Sequence, residues 1–270
     1  MSYDSKLDLF GSVFKRSVKH HFRHVEHKLE KVYLLGDEEN MEAMQSSMQA
    51  YCPNCLVHLY NDNFLWKEFK QKIAQEAPDL IVLQRHLGIT QKDLRSSLSP
   101  ILECITQEVQ IPLLVLPSEF QELKIATVGI GFDHQIDNSD LVNRGLLMHK
   151  FLKKVAFIHI EDVAIFNYYM DAISRIPEIN TEQAETHIKE TILSLSEDFF
   201  EDAAAHLEEH DITSIIHCEL DEVVKSYERI VAENKIDLLV FEAQDETKLA
   251  MHSLGQSMTI QFPDLAIMLV

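Results

Sequence analysis

Apolar residues in the second half of the chain follow two alternating patterns. Short β-branched and apolar runs, bounded by glycine or charged residues, predict buried strands at 124–131, 154–160, 213–218, 237–241 and 265–270. Apolar residues at helical spacing predict helices at 141–152, 166–176, 181–209, 221–234 and 247–260. Strands that alternate with helices are typical of a parallel sheet covered on both faces, so we predict an α/β fold.

The first half repeats this plan with fewer elements. Its strand-like runs lie at 32–35, 56–60, 79–83 and 113–116, with a helical run at 41–51. We therefore expect four strands in this half, with one strand–helix unit missing or replaced by a helix assigned to residues 5–30. A local echo indicates duplication, because APDLIVLQ from Ala77 resembles KIDLLVFE from Lys235. The expected domains are 1–118 and 122–270, with a linker at 117–121.

Composition and charge narrow the classes of function. The chain of 270 residues is 46% hydrophobic and 25% charged, which is typical of globular proteins. Its formal net charge of −20 would repel phosphate backbones, so we expect no nucleic-acid partner. No apolar run approaches the roughly 18 residues of a membrane span, and the first residues lack a signal-peptide core. We therefore expect no membrane contact and a cytoplasmic protein.

Several local strings carry a resemblance to a known family. They are PDLIVLQ and IDLLVFE for the fourth strand of each copy, IPLLVLP and PDLAIMLV for the fifth, and SLGQSM before the last helix. With the order of elements, they resemble the universal stress protein family in its tandem-domain form. The resemblance implies two doubly wound, Rossmann-like domains. It also implies that segments 113–116 and 265–269 pair, which would join the halves into an intramolecular pseudo-dimer.

The family's nucleotide-binding loop is degenerate in this chain. Members that bind ATP show Gly, two residues, Gly, nine residues, then Gly followed by Ser or Thr. When the last glycine is placed on Gly255, the earlier two fall on Glu242 and Asp245, and the hydroxyl position falls on Gln256. A phosphate cradle needs bare backbone, and carboxylates would repel the anion. The first copy departs further, and the chain's seven glycines form no complete phosphate loop.

Two hypotheses of function follow. The preferred one is a non-enzymatic stress-response regulatory or scaffold protein without a cofactor, with a protein partner or a homodimer as further possibilities. The alternative is a protein that binds ATP or AMP weakly through its second domain. The ligand would then contact Gly129, Gly131, Asp133, Gly255 and Ser257, with Ser257 capping the last helix. Inward-pointing side chains of Glu242 and Asp245 would exclude a triphosphate, and outward-pointing ones would permit binding.

Other groups of potentially reactive residues are better explained by structural roles than by chemistry. In a helix over residues 5–30, His20, His24 and His27 would share one face, which suits a polar surface better than a metal site. The pair Cys52 and Cys55 follows a predicted helix, whereas a redox CxxC begins one. A receiver domain would carry an aspartate directly after segment 79–83, where Gln84 and Arg85 stand instead, and no GxSxG motif occurs. We expect no catalytic residues and no metal.

Overall fold

The computed structural model describes residues 21–60, 64–87, 98–117, 122–133, 138–244 and 251–270. The strands in these ranges are β1 (Val32–Gly36), β2 (Cys55–Leu59), β3 (Leu80–Gln84), β4 (Leu113–Leu116), β5 (Thr127–Phe132), β6 (Lys154–Asp162), β7 (Thr213–Asp221), β8 (Leu238–Phe241) and β9 (Ala266–Leu269). The helices are α1 (Glu38–Gln49), α2 (Trp66–Glu76), α3 (Pro100–Glu108), α4 (Ser139–Gly145), α5 (Val163–Ser174), α6 (Thr181–Glu208), α7 (Val223–Asn234) and α8 (Ser253–Gln261). A short 3-10 helix, Leu146–Phe151, continues α4.

All nine strands form one sheet in the order β2-β1-β3-β4-β9-β8-β5-β6-β7. Every pair is parallel except β4 with β9, which is antiparallel. The described residues contain four strands followed by five, as predicted. The two strand orders match when β1 is placed on β5, so within the described ranges β7 has no counterpart in the first half. The unit that has no described equivalent there comprises α5, α6 and β7.

Alternate residues of each central strand face opposite layers. Val32 and Leu34 of β1 join one buried apolar cluster, and Tyr33 and Leu35 join the other. A strand buried on both faces reads as a continuous apolar run, which is why the sequence shows these strands so clearly. Helices α1, α4 and α6 cover the first face, and α2, α3, α7 and α8 cover the second. None of the helices in the described ranges is both long and apolar enough to cross a membrane.

One aspartate in each half performs the same structural task. Asp79 accepts hydrogen bonds of 2.8 Å from the backbone N–H groups of residues 30 and 31, just before β1. Asp237 accepts bonds of 2.8 and 2.9 Å from the N–H groups of residues 126 and 127, at the start of β5. Each carboxylate thereby fixes where its neighbouring strand begins. The similar sequences around these two aspartates thus correspond to the same hydrogen bonds in both halves.

The helix before each of these aspartates also ends in the same way. Ala77 follows α2 with φ of 44°, and Lys235 follows α7 with φ of 52°. Both residues are in the left-handed region, where glycine is the usual occupant because a Cβ atom is strained there. In each case the backbone N–H bonds to the carbonyl four residues earlier, Ile73 or Val231. The two halves therefore reproduce an unusual backbone conformation at equivalent places.

The halves meet along β4 and β9. Leu114 lies opposite Met268 in an antiparallel register, so the pairing expected for segments 113–116 and 265–269 is present. Two polar side chains cross between the halves beside this seam. The buried Arg85 guanidinium donates to the carbonyls of Thr259 and Phe262 at the end of α8. Gln244 Nε2 donates to the carbonyl of Thr106, at the end of α3, over 2.6 Å.

The predicted helix at 5–30 is wrong where it can be checked. Residues 21–30 contain neither helix nor strand, and residues 5–20 lie outside the described residues. The reason is that side chains of the body bind the backbone here: Asn143 donates to the carbonyl of Arg23, and Asp79 accepts from residues 30 and 31. These contacts take up groups that a helix would pair internally. Most of the predicted linker, residues 118–121, also lies outside the described ranges.

Candidate ligand site at the carboxyl ends of β5 and β8

The sheet has its topological switch point beside β5. This strand lies between β8 and β6, and the connections that leave β5 and β8 diverge from their carboxyl ends. In open α/β sheets, ligands bind in the crevice that such a divergence creates. Asp133 directly follows β5, and Glu242 directly follows β8. The candidate ligand site is therefore at these two acidic residues.

The two carboxylates face one imidazole. Glu242 is held by Asn138, whose Nδ2 donates to Oε1 over 2.6 Å. Glu242 Oε2 lies 3.8 Å from His252 Nε2, and Asp133 Oδ2 lies 3.5 Å from the same nitrogen. The Glu242 side chain is 19% exposed, so it occupies the crevice instead of extending into solvent. The arrangement carries more negative than positive charge even when the imidazole is protonated.

Glycines 129 and 131 are packing residues in this structure. A Cβ atom on Gly129 would lie 2.8 Å from side-chain atoms of both Ile236 and Leu239. A Cβ atom on Gly131 would lie 2.5 Å from the Tyr227 hydroxyl and would overlap the Phe241 ring. The absence of a side chain at both positions thus permits close approach of protein groups. It does not leave open space above β5.

Gly255 and Ser257 take different places from those that the sequence predicted. Gly255 lies in the first turn of α8, where a Cβ atom would be 2.9 Å from the carbonyl oxygen of Glu242. The glycine therefore lets α8 approach the end of β8. The prediction that Ser257 caps this helix is wrong, because α8 begins at Ser253 after an N-cap His252 that makes no side-chain capping bond. Ser257 is exposed within the helix.

The structure thus brings together part of the predicted set. Asp133 and the backbone near Gly255 flank the crevice, whereas Gly129 and Gly131 are covered and Ser257 faces solvent. Glu242 points inward, as the hypothesis of weak or absent triphosphate binding requires. Asp245, the other residue of that test, lies outside the described residues.

Three residues of the site were missed from sequence: Asn138, Tyr227 and His252. Tyr227 is fully buried, and its hydroxyl has no hydrogen-bond partner among the described residues. Burial, and then the negative charge of Asp133, raise the pKa of this phenol far above its usual range. His252 Nδ1 is likewise buried without a partner in the described part of the chain. Their sequence signal was weak, because each comes from a different segment and none belongs to a motif.

The histidine and cysteine candidates form no metal centre in the described ranges. No three His, Cys, Asp or Glu side chains there are arranged to hold a metal ion. Cys52 and Cys55 are free thiols that donate to backbone carbonyls, and burial raises the pKa of the Cys55 thiol. A raised pKa disfavours the reactive thiolate.

Comparison with known proteins supports the architecture. No family model matches the chain, and no curated protein matches it. A solved structure named "Putative Universal Stress Protein", from Pseudomonas aeruginosa UCBPP-PA14, aligns with a TM-score of 0.50 and 10% identity, covering 90% of this chain and 93% of that one. A functionally unknown protein from Pseudomonas aeruginosa PAO1 also has a TM-score of 0.50 and 10% identity, with coverage of 89% and 82%. These likenesses show the fold alone. The chain has a universal-stress-protein-like α/β fold.

Proposed function

We propose that this chain is a non-enzymatic regulatory or scaffold protein of the universal stress type that does not bind ATP strongly and acts in the cytoplasm. The observation that carries the proposal is the inward position of Glu242. Asn138 fixes its carboxylate in the switch-point crevice, and Asp133 adds a second negative charge beside it. A carboxylate about 5 Å from a phosphate group costs about 3 kcal/mol at an effective dielectric near 20. That penalty corresponds to roughly 100-fold in affinity.

The loops after β3 and β8 give the proposal independent support. These are the loops that match the family's phosphate-binding loop, and both carry side chains that bind protein carbonyls instead. Arg85 binds the end of α8, and Gln244 binds the end of α3. The loops thus hold the two halves together, which suits a self-contained scaffold. We propose on this basis that the halves form an intramolecular pseudo-dimer.

Thermal-shift titration with ATP, ADP and AMP, with and without Mg²⁺, tests the proposal. Ligand that binds only the native state raises its stability, by about 2.7 kcal/mol at a concentration 100 times Kd. We expect no shift in the unfolding midpoint of the wild-type protein at millimolar nucleotide. A shift of several degrees would instead support the alternative, a nucleotide-binding protein that uses the second half.

Two substitutions test whether the charge of Glu242 is what prevents strong ATP binding. Glu242→Gln removes the charge and keeps the size, and Glu242→Gly also restores the family's bare backbone. We expect both to strengthen ATP binding, with the glycine variant binding more tightly. Glu233→Gln is the matched control, because that carboxylate is 59% exposed on α7 and pairs only weakly with Arg229. If neither Glu242 variant gains affinity while both remain folded, charge in the crevice is not what excludes ATP.

A further inference from the structure

The segment 21–31, which we call the strap, crosses the second half and leads into β1. It contains neither helix nor strand, and it is fastened by hydrogen bonds from the body of the protein. The N–H of Arg23 donates to Ser139 Oγ over 3.1 Å, and Asn143 Nδ2 donates to the carbonyl of Arg23 over 2.8 Å. Leu29 packs against the buried apolar cluster on the same face of the sheet. The strap is therefore docked at several points.

Three imidazole rings lie together where the strap meets the end of α6. The ring centroids of His24 and His206 are 4.1 Å apart with an interplanar angle of 30°, and those of His206 and His210 are 4.8 Å apart. We call this group the histidine stack. Phe22 of the strap packs beside it, with its ring 5.7 Å from that of His206 and 6.1 Å from that of Phe199. The stack thus forms one wall of the surface that receives Phe22.

Carboxylates near the end of α6 affect the charge of the histidine stack. Glu209 Oε2 is 4.0 Å from His206 Nδ1, the limit of an ion pair. Asp202, one helical turn before His206, is paired with His21 of the strap at 2.6 Å. Each ring of the stack that gains a proton adds a positive charge beside the other two, and Glu209 offsets part of it. Two pairs on the strap oppose this effect, His21 with Asp202 and His27 with Asp140 at 3.4 Å, because both become stronger when the imidazole is protonated.

The direction of the pH effect follows from His206. Burial in the first place, and then the neighbouring His24 and His210, lower the pKa of His206. Docking of the strap therefore lowers the proton affinity of His206. The contribution of His206 to docking is complete above the pKa of a free histidine, about 6.5, and is lost as the pH falls from there to the lowered pKa of the docked state.

We propose that the histidine stack is a pH-sensitive latch that holds residues 21–26 on α6 at neutral pH and releases them in mildly acidic solution. Mutual repulsion of the protonated rings drives release, and it exposes the apolar surface around Phe199. Release also breaks the two hydrogen bonds between the Arg23 backbone and α4, whereas residues 29–31 keep their contacts with Asp79 and the apolar cluster. The protein would thus present one surface at neutral pH and another in acid.

Amide hydrogen exchange measured by mass spectrometry tests the latch. The full chain is labelled at about pH 7.5 and about pH 5.5, with labelling times corrected for intrinsic exchange and with EDTA present to remove metal ions. We expect protection of the peptide that contains residues 21–26 to fall several-fold in acid, by up to about ten-fold, which is the most that one histidine with a free pKa of about 6.5 can supply at this pH. Protection of β5 serves as the internal reference and should not change.

Three variants separate the latch from general acid loosening. His206→Gln cannot gain charge, so its strap should stay protected in acid. His206→Arg carries a permanent charge, so its strap should already be released at neutral pH. His149→Gln is the matched control, because this exposed histidine lies outside the stack and bonds to the nearby carbonyl of Leu146. It should behave as wild type.

Each outcome decides the proposal. An equal drop in protection for wild type and His206→Gln, or no drop in wild type, would overturn it. If His206→Gln disrupts docking at neutral pH, NMR titration of the wild-type rings replaces that variant. His206 must then titrate below a free histidine and together with the loss of strap protection. Titration of His206 without strap release also refutes the latch.

Discussion

Substitution of Arg85 tests the seam between the two halves most directly. Its guanidinium group is fully buried and donates to two carbonyls at the end of α8, those of Thr259 and Phe262. Burial lowers the pKa of Arg85 to about 10, so the side chain is still charged at neutral pH. In Arg85→Met the carbonyls lose their only described side-chain donor while the volume of the side chain is largely kept.

The change in the free energy of unfolding expected for Arg85→Met follows from two opposing contributions. Hydrogen bonds to a charged group stabilise by about 1.5–3 kcal/mol each, which gives about 3–6 kcal/mol for two bonds. The lowered pKa shows that desolvation of the charge opposes them: the change from 12.5 to about 10 corresponds to about 3 kcal/mol. We therefore expect Arg85→Met to lower the free energy of unfolding by about 2 kcal/mol. For a chain of this size the unfolding midpoint should fall by about 4–8 °C.

Urea unfolding followed by far-UV circular dichroism, together with calorimetry, measures this change. Arg175→Met is the matched control, since Arg175 is 76% exposed and, directly after α5, pairs with Asp171 in its last turn. An exposed pair of this kind contributes less than about 1 kcal/mol. If Arg85→Met unfolds at the wild-type midpoint, or if Arg175→Met loses as much stability, then Arg85 does not clamp the halves.

Three further predictions concern the backbone and the core, and two of them include a comparison variant. Lys235→Gly should raise stability by about 0.5–1 kcal/mol, because glycine relieves the positive φ, whereas Ala50→Gly, at a right-handed helix end, should lower it by a similar amount in urea unfolding. Asp237→Ala should cost about 2–4 kcal/mol by the same assay, since it leaves two backbone N–H groups without their acceptor. Gly131→Ala should cost about 1–3 kcal/mol in calorimetry through overpacking, and Gly145→Ala, with contacts of 3.3 Å or more, should cost less.

Much of the fold could be predicted from the sequence because its central strands are buried on both faces. Runs such as Leu80–Gln84 and Leu238–Phe241 are apolar at nearly every position, so their strand character is independent of distant contacts. The helix predicted for residues 5–30 failed for the opposite reason. Residues 21–30 have charged and apolar residues at a spacing that suits a helix, but distant side chains such as Asn143 bind their backbone. A single-sequence pattern does not contain those contacts.

The candidate site was harder to predict than the fold. Glu242 was found because a family motif places glycine at that position, so a departure from the motif was visible. Asn138 and His252 were not found, since they meet Glu242 only when three loops converge at the carboxyl edge of the sheet. The glycines of β5 were misassigned because glycine serves close packing as well as ligand binding, and only the positions of Tyr227 and Phe241 distinguish the two.

The positions of Arg85 and Gln244, whose side chains bind across the seam, connect the fold with the proposed function. Arg85 directly follows Gln84, which stands where the first copy would have its first loop glycine, and Gln244 lies between Glu242 and Asp245 in the second copy. In both halves the loop that a nucleotide-binding relative would need for phosphate thus reaches across the seam to a helix end. Movement of Arg85 or Gln244 toward a phosphate group would break its contact with the opposite half. We therefore expect a variant that gains ATP affinity to do so with a weakened contact between the halves.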